Sequence, residues 1–288
     1  MLPEPSFEIV ELKGGVKSLR MVENQETFHP GIGPLAEARI LHVEQQRLCQ
    51  RLEALGRLVV WDVGLGAAAN AVAALDAVKG LPGLVEIHSF DQTLSPLRFA
   101  LKNTDHLSYL SPYQDLAGEL LRSGSVTVTP RLRWHLHLGD FRDEMLRPDL
   151  PLPHAIFYDP YSPRSNVEMW TLEHFCNLRR RLGHAVPCLL SNYTRSRPVR
   201  VTLLMAGFVV GVGTAIGEKE ETTLASNDTQ EILRPLARDF LEGTRVSPAG
   251  SPLRGSVYAT QAIGVEDFAA LAASEQFRQT GDLGQVSN

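Results

Sequence analysis

Residues 59–70, VVWDVGLGAAAN, constrain the fold more than any other segment of the chain. The apolar run at their start predicts a buried strand, and the alanine-rich residues that follow favour a helix. Between them, Gly64 permits a backbone conformation that a side chain would oppose, and Gly66 lets the main chain approach a ligand closely. A strand, a glycine turn and a helix in this order cradle nucleotide-like ligands in open α/β sheets.

Acidic residues lie inside or just after four of the apolar runs. Residues 84–90 form a second predicted strand that ends in Asp91, where a ribose diol would be hydrogen-bonded. Asp62, Asp140 and Asp159 belong to three other runs. Because ligands of open parallel sheets bind beyond the carboxyl ends of the strands, we expect these acids to converge on one crevice. The alternative is that they only cap the helices that follow, for which Asp140 is the clearest case.

The order of the predicted elements indicates the class of fold. The others are a hairpin at 7–22, a helix at 35–55, strands at 133–138, 154–159 and 187–191, and helices at 94–101 (capped by Ser95), 107–122, 167–182, 198–206 and 265–277. Strands that alternate with helices predict a mainly parallel, doubly wound α/β sheet. Residues 208–212 and 221–226 are joined too briefly for a crossover helix, so we predict an antiparallel hairpin there. This is the order of class I methyltransferases (Rossmann-like) rather than of nicotinamide dehydrogenases.

Composition and length set the expected organisation. The chain has 288 residues, of which 43% are hydrophobic and 21% charged, as in an ordinary soluble globular protein. We divide it into an N-terminal hairpin and helix at 1–56, a Rossmann-like domain at 57–230 and a C-terminal appendage at 231–288.

Several partners and compartments are disfavoured. No apolar stretch is long enough to span a bilayer and no signal peptide begins the chain, so we expect no membrane partner. The three cysteines lie far apart without metal-ligand spacing, so we expect no metal and a reducing cytoplasm. Two arginine clusters, 179–181 and 195–200, are interpreted either as solvated helix faces or as substrate contacts.

S-adenosylmethionine suits this arrangement because it needs no phosphate-binding site. The predicted cofactor residues are Asp62, Gly64, Gly66, Asn70, Asp91, Gly139 and Asp140. The turn would face the methionine part, Asp91 the ribose hydroxyls, and Gly139 with Asp140 the adenine. The absence of GK[ST] and of G-x-S-x-G argues against a P-loop and against a hydrolase of that type.

The loop after Asp159 is the predicted entrance for a methyl acceptor. It reads Pro160-Tyr161-Ser162-Pro163, and its prolines hold it stiff. Class I enzymes that methylate nitrogen often place a D/N-P-P-Y/F/W loop at this position to accept hydrogen bonds from an amine. The alternative is an ordinary rigid connection to the following helix.

Several segments together resemble the MnmC/MnmD methyltransferase family. They are Glu26–His29 with Gly33–Ala38 (ETYHS…GAxxEA), Gly64–Asn70 (GxGTGxN), Asp159–Pro163 with Met169–Thr171 (D-A/G-F-S/A-P…x-W-T), Tyr193–Phe208 (TYS…VRxxLxxAGF), and Ile216-Gly217 with Thr223–Ser226. The resemblance covers about residues 7–226 in the right order. Because the chain contains no flavin-binding oxidase domain, it looks like the stand-alone type of this family.

The resemblance implies that S-adenosylmethionine methylates an aminomethyl group on the wobble uridine of tRNA. It implies that Asp159 is the catalytic residue, which orients the acceptor amine and favours loss of its proton. Tyr161, with Ser162 and Pro163, would contact the uracil, and Phe28 with His29 would close the pocket from the other side. His29 is a second candidate for the base.

Three other functions stay open at this point. The net charge of −5 and the acids within 218–221 favour a small-molecule or protein amine over a phosphate backbone as the acceptor. A non-catalytic, cofactor-binding relative is opposed by the intact loop after Asp159. A dehydrogenase fits the closing hairpin poorly.

Overall fold

The computed structural model of the chain describes residues 5–217 and 220–282. Its contacts separate two compact units, Met1–Asp159 with Thr214–Glu220 and Pro160–Gly213 with Glu221–Asn288, which we call unit 1 and unit 2. The three-part division predicted above uses different boundaries and stays a prediction. No helix in the described part of the chain is both long enough and apolar enough to cross a bilayer.

Unit 1 holds a hairpin, a sheet and the helices of its layers. Its strands are β1 (Phe7–Glu11), β2 (Lys17–Met21), β3 (Arg57–Val63), β4 (Leu84–Asp91), β5 (Ser125–Thr129), β6 (Leu132–Leu138) and β7 (Ala155–Tyr158). Its helices are α1 (Pro34–Ala38), α2 (Leu48–Leu55), α3 (Ala69–Val78), α4 (Ser95–Leu101), α5 (Gln114–Ser123) and α6 (Phe141–Glu144), with a π-helical turn at Arg39–Glu44 and a 3₁₀ turn at Ser111–Tyr113.

The strand order in unit 1 is β5-β6-β4-β3-β7. Strands β6, β4, β3 and β7 are parallel, and β5 is antiparallel to β6. Strands β1 and β2 form a separate antiparallel hairpin, as predicted. The parallel order brings the carboxyl ends of β4, β3 and β7 to one edge, where the crevice was expected.

The two faces of this sheet are packed differently. On one face, Leu58 and Val60 of β3 belong to a core that includes the buried alanines of α3. Small side chains let this helix lie close to the sheet. On the other face, Phe90 of β4 lies 5.0 Å from Phe141 and 5.7 Å from Trp61, ring centroid to centroid, in edge-on arrangements.

The helix predicted at 35–55 is interrupted. Helix α1 passes into the π-helical turn, in which the amide of Gln45 donates to the carbonyl of Ile40 at 3.2 Å. Arg47 then adopts a left-handed conformation, with φ of 52°, before α2 begins. The apolar spacing predicts Leu41, Leu48, Leu52 and Leu55 on one side of this helix, and the first three are buried. Leu55, at the end of α2, is 53% exposed, so the prediction was wrong for that residue. The spacing also carried no sign of the break.

Two smaller predictions in unit 1 were wrong. Ser95 is not a cap but the first residue of α4, and its amide donates to the hydroxyl of Thr93 at 3.2 Å. Strand β5 was not predicted, because it is an edge strand whose single buried residue is Val126. Edge strands lack the long apolar run by which buried strands are found.

Unit 2 contains the remaining elements. Its strands are β8 (Leu189–Asn192), β9 (Val209–Val212) and β10 (Thr223–Ser226), and its helices are α7 (Leu172–Leu182), α8 (Arg197–Met205), α9 (Arg238–Arg245), α10 (Val265–Ala272) and α11 (Glu275–Asp282). Strand β10 lies between β8 and β9 and is antiparallel to both. The predicted closing hairpin is therefore confirmed, while the helix predicted at 265–277 is two helices and α9 was not predicted.

Several arginines of the two predicted clusters hold unit 2 together internally. The guanidinium of Arg200 is buried and donates to the Glu221 carboxylate at 2.8 Å, to the hydroxyl of Thr223 and to a backbone carbonyl. Arg197 donates to the carbonyl of Phe240 at 3.1 Å and lies over its ring. Arg179 donates to two glycine carbonyls. The sequence had suggested that these three arginines lie on solvated helix faces or contact the substrate. They instead make hydrogen bonds within the protein.

Candidate functional site

The glycine turn in unit 1 presents its amides to the end of β4. Gly64 and Gly66 have φ of 92° and 51°, the left-handed conformations that favour glycine. The amide of Gly64 donates to the carbonyl of Phe90 at 3.0 Å. The amide of Gly66 donates to Oδ2 of Asp91 at 2.9 Å. A direct hydrogen bond thus connects the glycine turn to Asp91, two features that were predicted separately from sequence.

Two aromatic residues support the turn from within the protein. A Cβ placed on Gly66 would lie 3.1 Å from Cε2 of Phe28, so the ring of Phe28 packs directly on the turn. The buried hydroxyl of Tyr109 donates to the carbonyl of Ala67 at 2.9 Å. Burial raises the pKa of Tyr109, so its hydroxyl keeps its proton as a donor.

Asp159 and Asn70 form the polar centre of the candidate site. Asp159 directly follows β7, and its Oδ2 accepts a hydrogen bond from the Asn70 side-chain amide at 2.8 Å. Nε2 of His29 lies 3.8 Å from the same oxygen. Asn70 stands in the first turn of α3, immediately after the glycine turn. The residue predicted for the acceptor and one predicted for the cofactor are therefore in contact, with His29 beside them.

Asp62 lies beneath this centre, fully buried within β3. Its Oδ2 accepts from the hydroxyl of Ser89 at 2.7 Å, and that hydroxyl in turn accepts from the indole of Trp134 at 2.9 Å. The pKa of Asp62 is raised to about 8, mainly by burial; the Ser89 hydrogen bond opposes this shift, and the charges of Asp159 and Asp91 add to it. Asp62 is therefore mostly protonated at neutral pH.

This protonation predicts a pH-dependent stability. The folded chain holds a proton on Asp62 that the unfolded chain releases near pH 4, so this contribution to stability is complete below pH 4 and is lost as pH rises towards 8. The loss amounts to roughly 6 kcal/mol at most. Asp62→Asn carries no titrating group at this position. The free energy of unfolding of this variant, relative to that of the natural protein, should therefore be higher at pH 8 than at pH 5. Urea unfolding at both pH values measures this.

A matched control for this prediction is Asp105→Asn, because Asp105 is exposed in the same unit. Its stability should follow that of the natural protein at both pH values. If Asp62→Asn differed from the natural protein by the same free energy at pH 5 and pH 8, the assigned protonation would be wrong.

Gly139 and Asp140 follow β6 at the same edge of the sheet. The amide of Gly139 donates to the main-chain carbonyl of Asp91 at 2.9 Å. Asp140 caps α6 by accepting from the amide of Arg142 at 2.9 Å, and it also binds the guanidinium of Arg142 at 2.5 Å. The capping alternative is thus confirmed for Asp140. Its assignment to the adenine stays a prediction.

Tyr161, Ser162 and Pro163 belong to unit 2, where neighbouring residues stiffen the loop. The carbonyl of Tyr161 accepts from the indole of Trp170 at 2.9 Å. The carbonyl before it, on Pro160, accepts from the hydroxyl of Tyr193 at 3.2 Å. The carbonyl of Ser162 accepts from two later amides of the loop, both at 2.9 Å. The expected rigidity of this segment therefore comes from hydrogen bonds as well as from prolines.

Three residues that were not predicted as site residues also shape the region. Tyr109 acts on the turn from 42 positions away. The buried carboxylate of Glu37 accepts from the amides of Gly31 and Ile32, which hold the segment after His29. Gly217 packs against Gly31: a Cβ added to Gly217 would lie 3.3 Å from the Cα of Gly31. Only the glycines carried a short-range signal, since a glycine in a loop often marks a close backbone approach.

The residues around the turn fit S-adenosylmethionine. Oδ1 of Asn70 and Oδ1 of Asp62 are buried and have no hydrogen-bond partner within residues 5–217 and 220–282. Buried polar atoms without a partner are costly, so their position beside the glycine turn suits a ligand that carries polar groups. The turn, Asp91 and Asn70 would hold such a cofactor without any phosphate group.

Comparison with known proteins agrees with this geometry. Residues 111–228 match a family described as S-adenosyl-L-methionine-dependent methyltransferase. The crystal structure of MnmC2 from Aquifex aeolicus has a TM-score of 0.71 and 25% identity to this chain, covering 94% of this chain and 84% of that one. The predicted α/β fold of class I methyltransferases is thereby confirmed.

The sequence is also similar to those of proteins named MnmC. The bifunctional protein MnmC of tRNA 5-methylaminomethyl-2-thiouridine biosynthesis from Pseudomonas fluorescens (strain Pf0-1) is 31% identical over 205 residues, covering 65% of this chain and 30% of that protein. The protein of the same name from Methylibium petroleiphilum is 29% identical over 223 residues, covering 73% and 33%. The chain thus spans about a third of the length of these relatives. The chain is an S-adenosylmethionine-dependent methyltransferase, and its sequence and fold are similar to those of MnmC proteins.

Proposed function

We propose that this chain transfers a methyl group from S-adenosylmethionine to the aminomethyl nitrogen of 5-aminomethyl-2-thiouridine at the wobble position of tRNA. The observation that carries the proposal is the carboxylate of Asp159, held by Asn70 beside the glycine turn. The names of the MnmC relatives support the choice of acceptor, since they place those proteins in the biosynthesis of 5-methylaminomethyl-2-thiouridine. Such a function implies a cytoplasmic enzyme.

The reaction needs a neutral amine in line with the donor. S-adenosylmethionine supplies an electrophilic methyl group bonded to a positively charged sulfur. Asp159 would accept a hydrogen bond from the acceptor amine and so orient its lone pair. A carboxylate beside the amine also stabilises the positive charge that develops on nitrogen as the new bond forms. Holding the reacting atoms in line supplies much of the rate.

The neighbours of Asp159 give this carboxylate a fixed position. Asn70 donates to Oδ2, which restrains the carboxylate in one rotamer. His29, 3.8 Å from the same oxygen, would help to enclose the acceptor together with Phe28. After methyl transfer the nitrogen carries one proton too many, and Asp159 would receive it. Tyr161, Ser162 and Pro163 remain the proposed contacts for the uracil, on the basis of their place in the chain directly after Asp159.

Labelled cofactor tests the proposal directly. The protein is incubated with methyl-labelled S-adenosylmethionine and tRNA carrying 5-aminomethyl-2-thiouridine, and the tRNA is then digested to nucleosides. We expect label in 5-methylaminomethyl-2-thiouridine and none in a matched tRNA whose wobble base is 2-thiouridine without the aminomethyl group. Bound cofactor without transfer to this tRNA would overturn the choice of acceptor while leaving the methyltransferase assignment intact.

A small-molecule or protein amine is the second candidate acceptor. The net charge of −5 favours it, and the internal hydrogen bonds of Arg179, Arg197 and Arg200 use donors that could otherwise bind phosphates. The argument from the acids at 218–221 is reduced, because Glu221 is neutralised by Arg200, and Glu218 lies outside the described residues. Label transferred to free amines or peptides but not to tRNA would support this candidate.

A further inference from the structure

Three side chains on one face of the unit 1 sheet bring metal-binding atoms together. They are Glu86 and His88 of β4 and His135 of β6, whose ligand atoms all lie within 4.8 Å of one another. Glu86 and His88 are alternate residues of a strand and so point to the same face. His88 and His135 are direct partners in the parallel register of the two strands. The cluster is therefore built by the sheet and not by a flexible loop.

The ring of His88 places a buried nitrogen in this cluster. His88 is only 5% exposed, and its Nε2 has no hydrogen-bond partner among the residues that the structure describes. Oε2 of Glu86 lies 3.7 Å from this nitrogen. The rings of His88 and His135 are stacked, with centroids 4.7 Å apart. A buried nitrogen close to a carboxylate oxygen and to a second imidazole provides ligand atoms that suit a cation.

The other nitrogen of His88 has the partner that a metal-binding histidine requires. Its Nδ1 lies 2.9 Å from Nε2 of His137, and Nδ1 of His137 lies 4.0 Å from the carboxylate of Glu144. If Nδ1–H of His88 donates to His137, its Nε2 carries the lone pair. Metal-binding histidines almost always donate their second ring N–H to a carboxylate, a backbone carbonyl or water, which fixes the tautomer and the ring orientation; here the His137 ring would take the place of that acceptor.

Arg57 and Arg133 are the cations that act on this cluster. The guanidinium of Arg57 binds Oε1 of Glu86 at 2.9 Å, whereas Oε2 is the oxygen that lies 3.7 Å from His88. The charge of Arg133 acts on His135. Bonds of about 2.0–2.2 Å to Zn²⁺ separate tetrahedral ligands by roughly 3.4 Å. The ligand atoms, now within 4.8 Å of one another, would therefore move together and the stacked rings would turn to close around such an ion.

We propose that Glu86, His88 and His135 form a binding site for a divalent transition-metal ion such as Zn²⁺, which would join β4 to β6. Two imidazoles and one carboxylate are a ligand set that such ions accept, with a fourth position left to water. The expectation of no metal relied on spacing along the chain. It had no means of pairing His88 with His135, which come from different strands.

Zinc binding to the intact protein, freed of metal by a chelator and without a polyhistidine tag, tests the site. We expect one Zn²⁺ per chain by calorimetric titration, and a higher melting temperature with Zn²⁺ than with Mg²⁺. His135→Ala and Glu86→Gln should each weaken Zn²⁺ binding at least tenfold. Both residues are partly exposed, so both variants should fold.

His184→Ala is the matched control, because His184 is an exposed histidine outside the cluster. It should bind Zn²⁺ as tightly as the natural protein. Cobalt(II) in place of zinc adds a visible absorption signal that reports nitrogen and oxygen ligation at the site. Failure to bind Zn²⁺, or binding that His135→Ala and Glu86→Gln leave unchanged, would overturn the proposal.

Discussion

Asp159→Ala is expected to reduce methyl transfer by about 10²–10⁴-fold, the range for loss of a positioned acid–base group. The carboxylate is the group that would orient the acceptor amine, and Asn70 holds it at 2.8 Å. Cofactor affinity should fall only slightly, because the amides of the glycine turn and Asp91 are untouched. Single-turnover transfer with labelled cofactor measures the first quantity, and calorimetric titration of the cofactor measures the second.

Two further variants make the Asp159 result specific. Asp159→Asn keeps the shape of the side chain but loses the charge. Its rate of methyl transfer should be close to that of Asp159→Ala if the charge matters, and close to that of the natural protein if only the shape matters. Asp105→Ala removes an exposed aspartate of the same unit and should leave transfer unchanged. Full activity in Asp159→Ala would remove Asp159 from the reaction.

Gly66→Ala is expected to weaken cofactor binding at least tenfold. The backbone at this position has φ of 51°, which costs a residue with a side chain about 1–2 kcal/mol. The new Cβ would also lie 3.1 Å from the ring of Phe28. Any shift of the turn moves the amide that donates to Asp91, so the loss should appear in affinity for S-adenosylmethionine as well as in stability.

Gly124→Ala serves to separate the loss of stability from the loss of cofactor affinity. Gly124 has φ of 76° and no atom within 4 Å of an added Cβ, so it carries the backbone cost without the contact. It ends α5, away from the glycine turn in sequence. Both variants should lose stability in urea, but only Gly66→Ala should lose cofactor affinity. Equal affinities in the two variants would show that the turn does not contact the cofactor.

Local chemistry explains why much of the fold was predictable. The turn at Gly64 and Gly66 has the positive φ angles that the residue types indicated. Apolar runs located β3, β4 and β7, and the short link between β9 and β10 gave their antiparallel pairing. Each of these signals lies within a few residues of the feature that it predicts.

What escaped prediction depends on pairing between distant residues. Asn70 was assigned to the cofactor, yet its amide holds Asp159, 89 positions away. Arg200 was assigned to a helix face or to substrate, yet it is buried against Glu221. The stacking of His88 on His135 follows from the register of β4 against β6. Such contacts are fixed by sheet register and tertiary packing, for which a single sequence has no short-range signal.

The π-helical turn at Arg39–Glu44 bears on how this chain should be aligned with its relatives. Such a turn holds one residue more than an α-helical turn, so it is the structural trace of a single-residue insertion in an otherwise α-helical segment. Gln46 follows this turn, and its side-chain amide donates to the carbonyl of Ile156 at 2.9 Å. We expect relatives that lack this glutamine contact to carry a one-residue gap between positions 39 and 47, with an unbroken helix in its place.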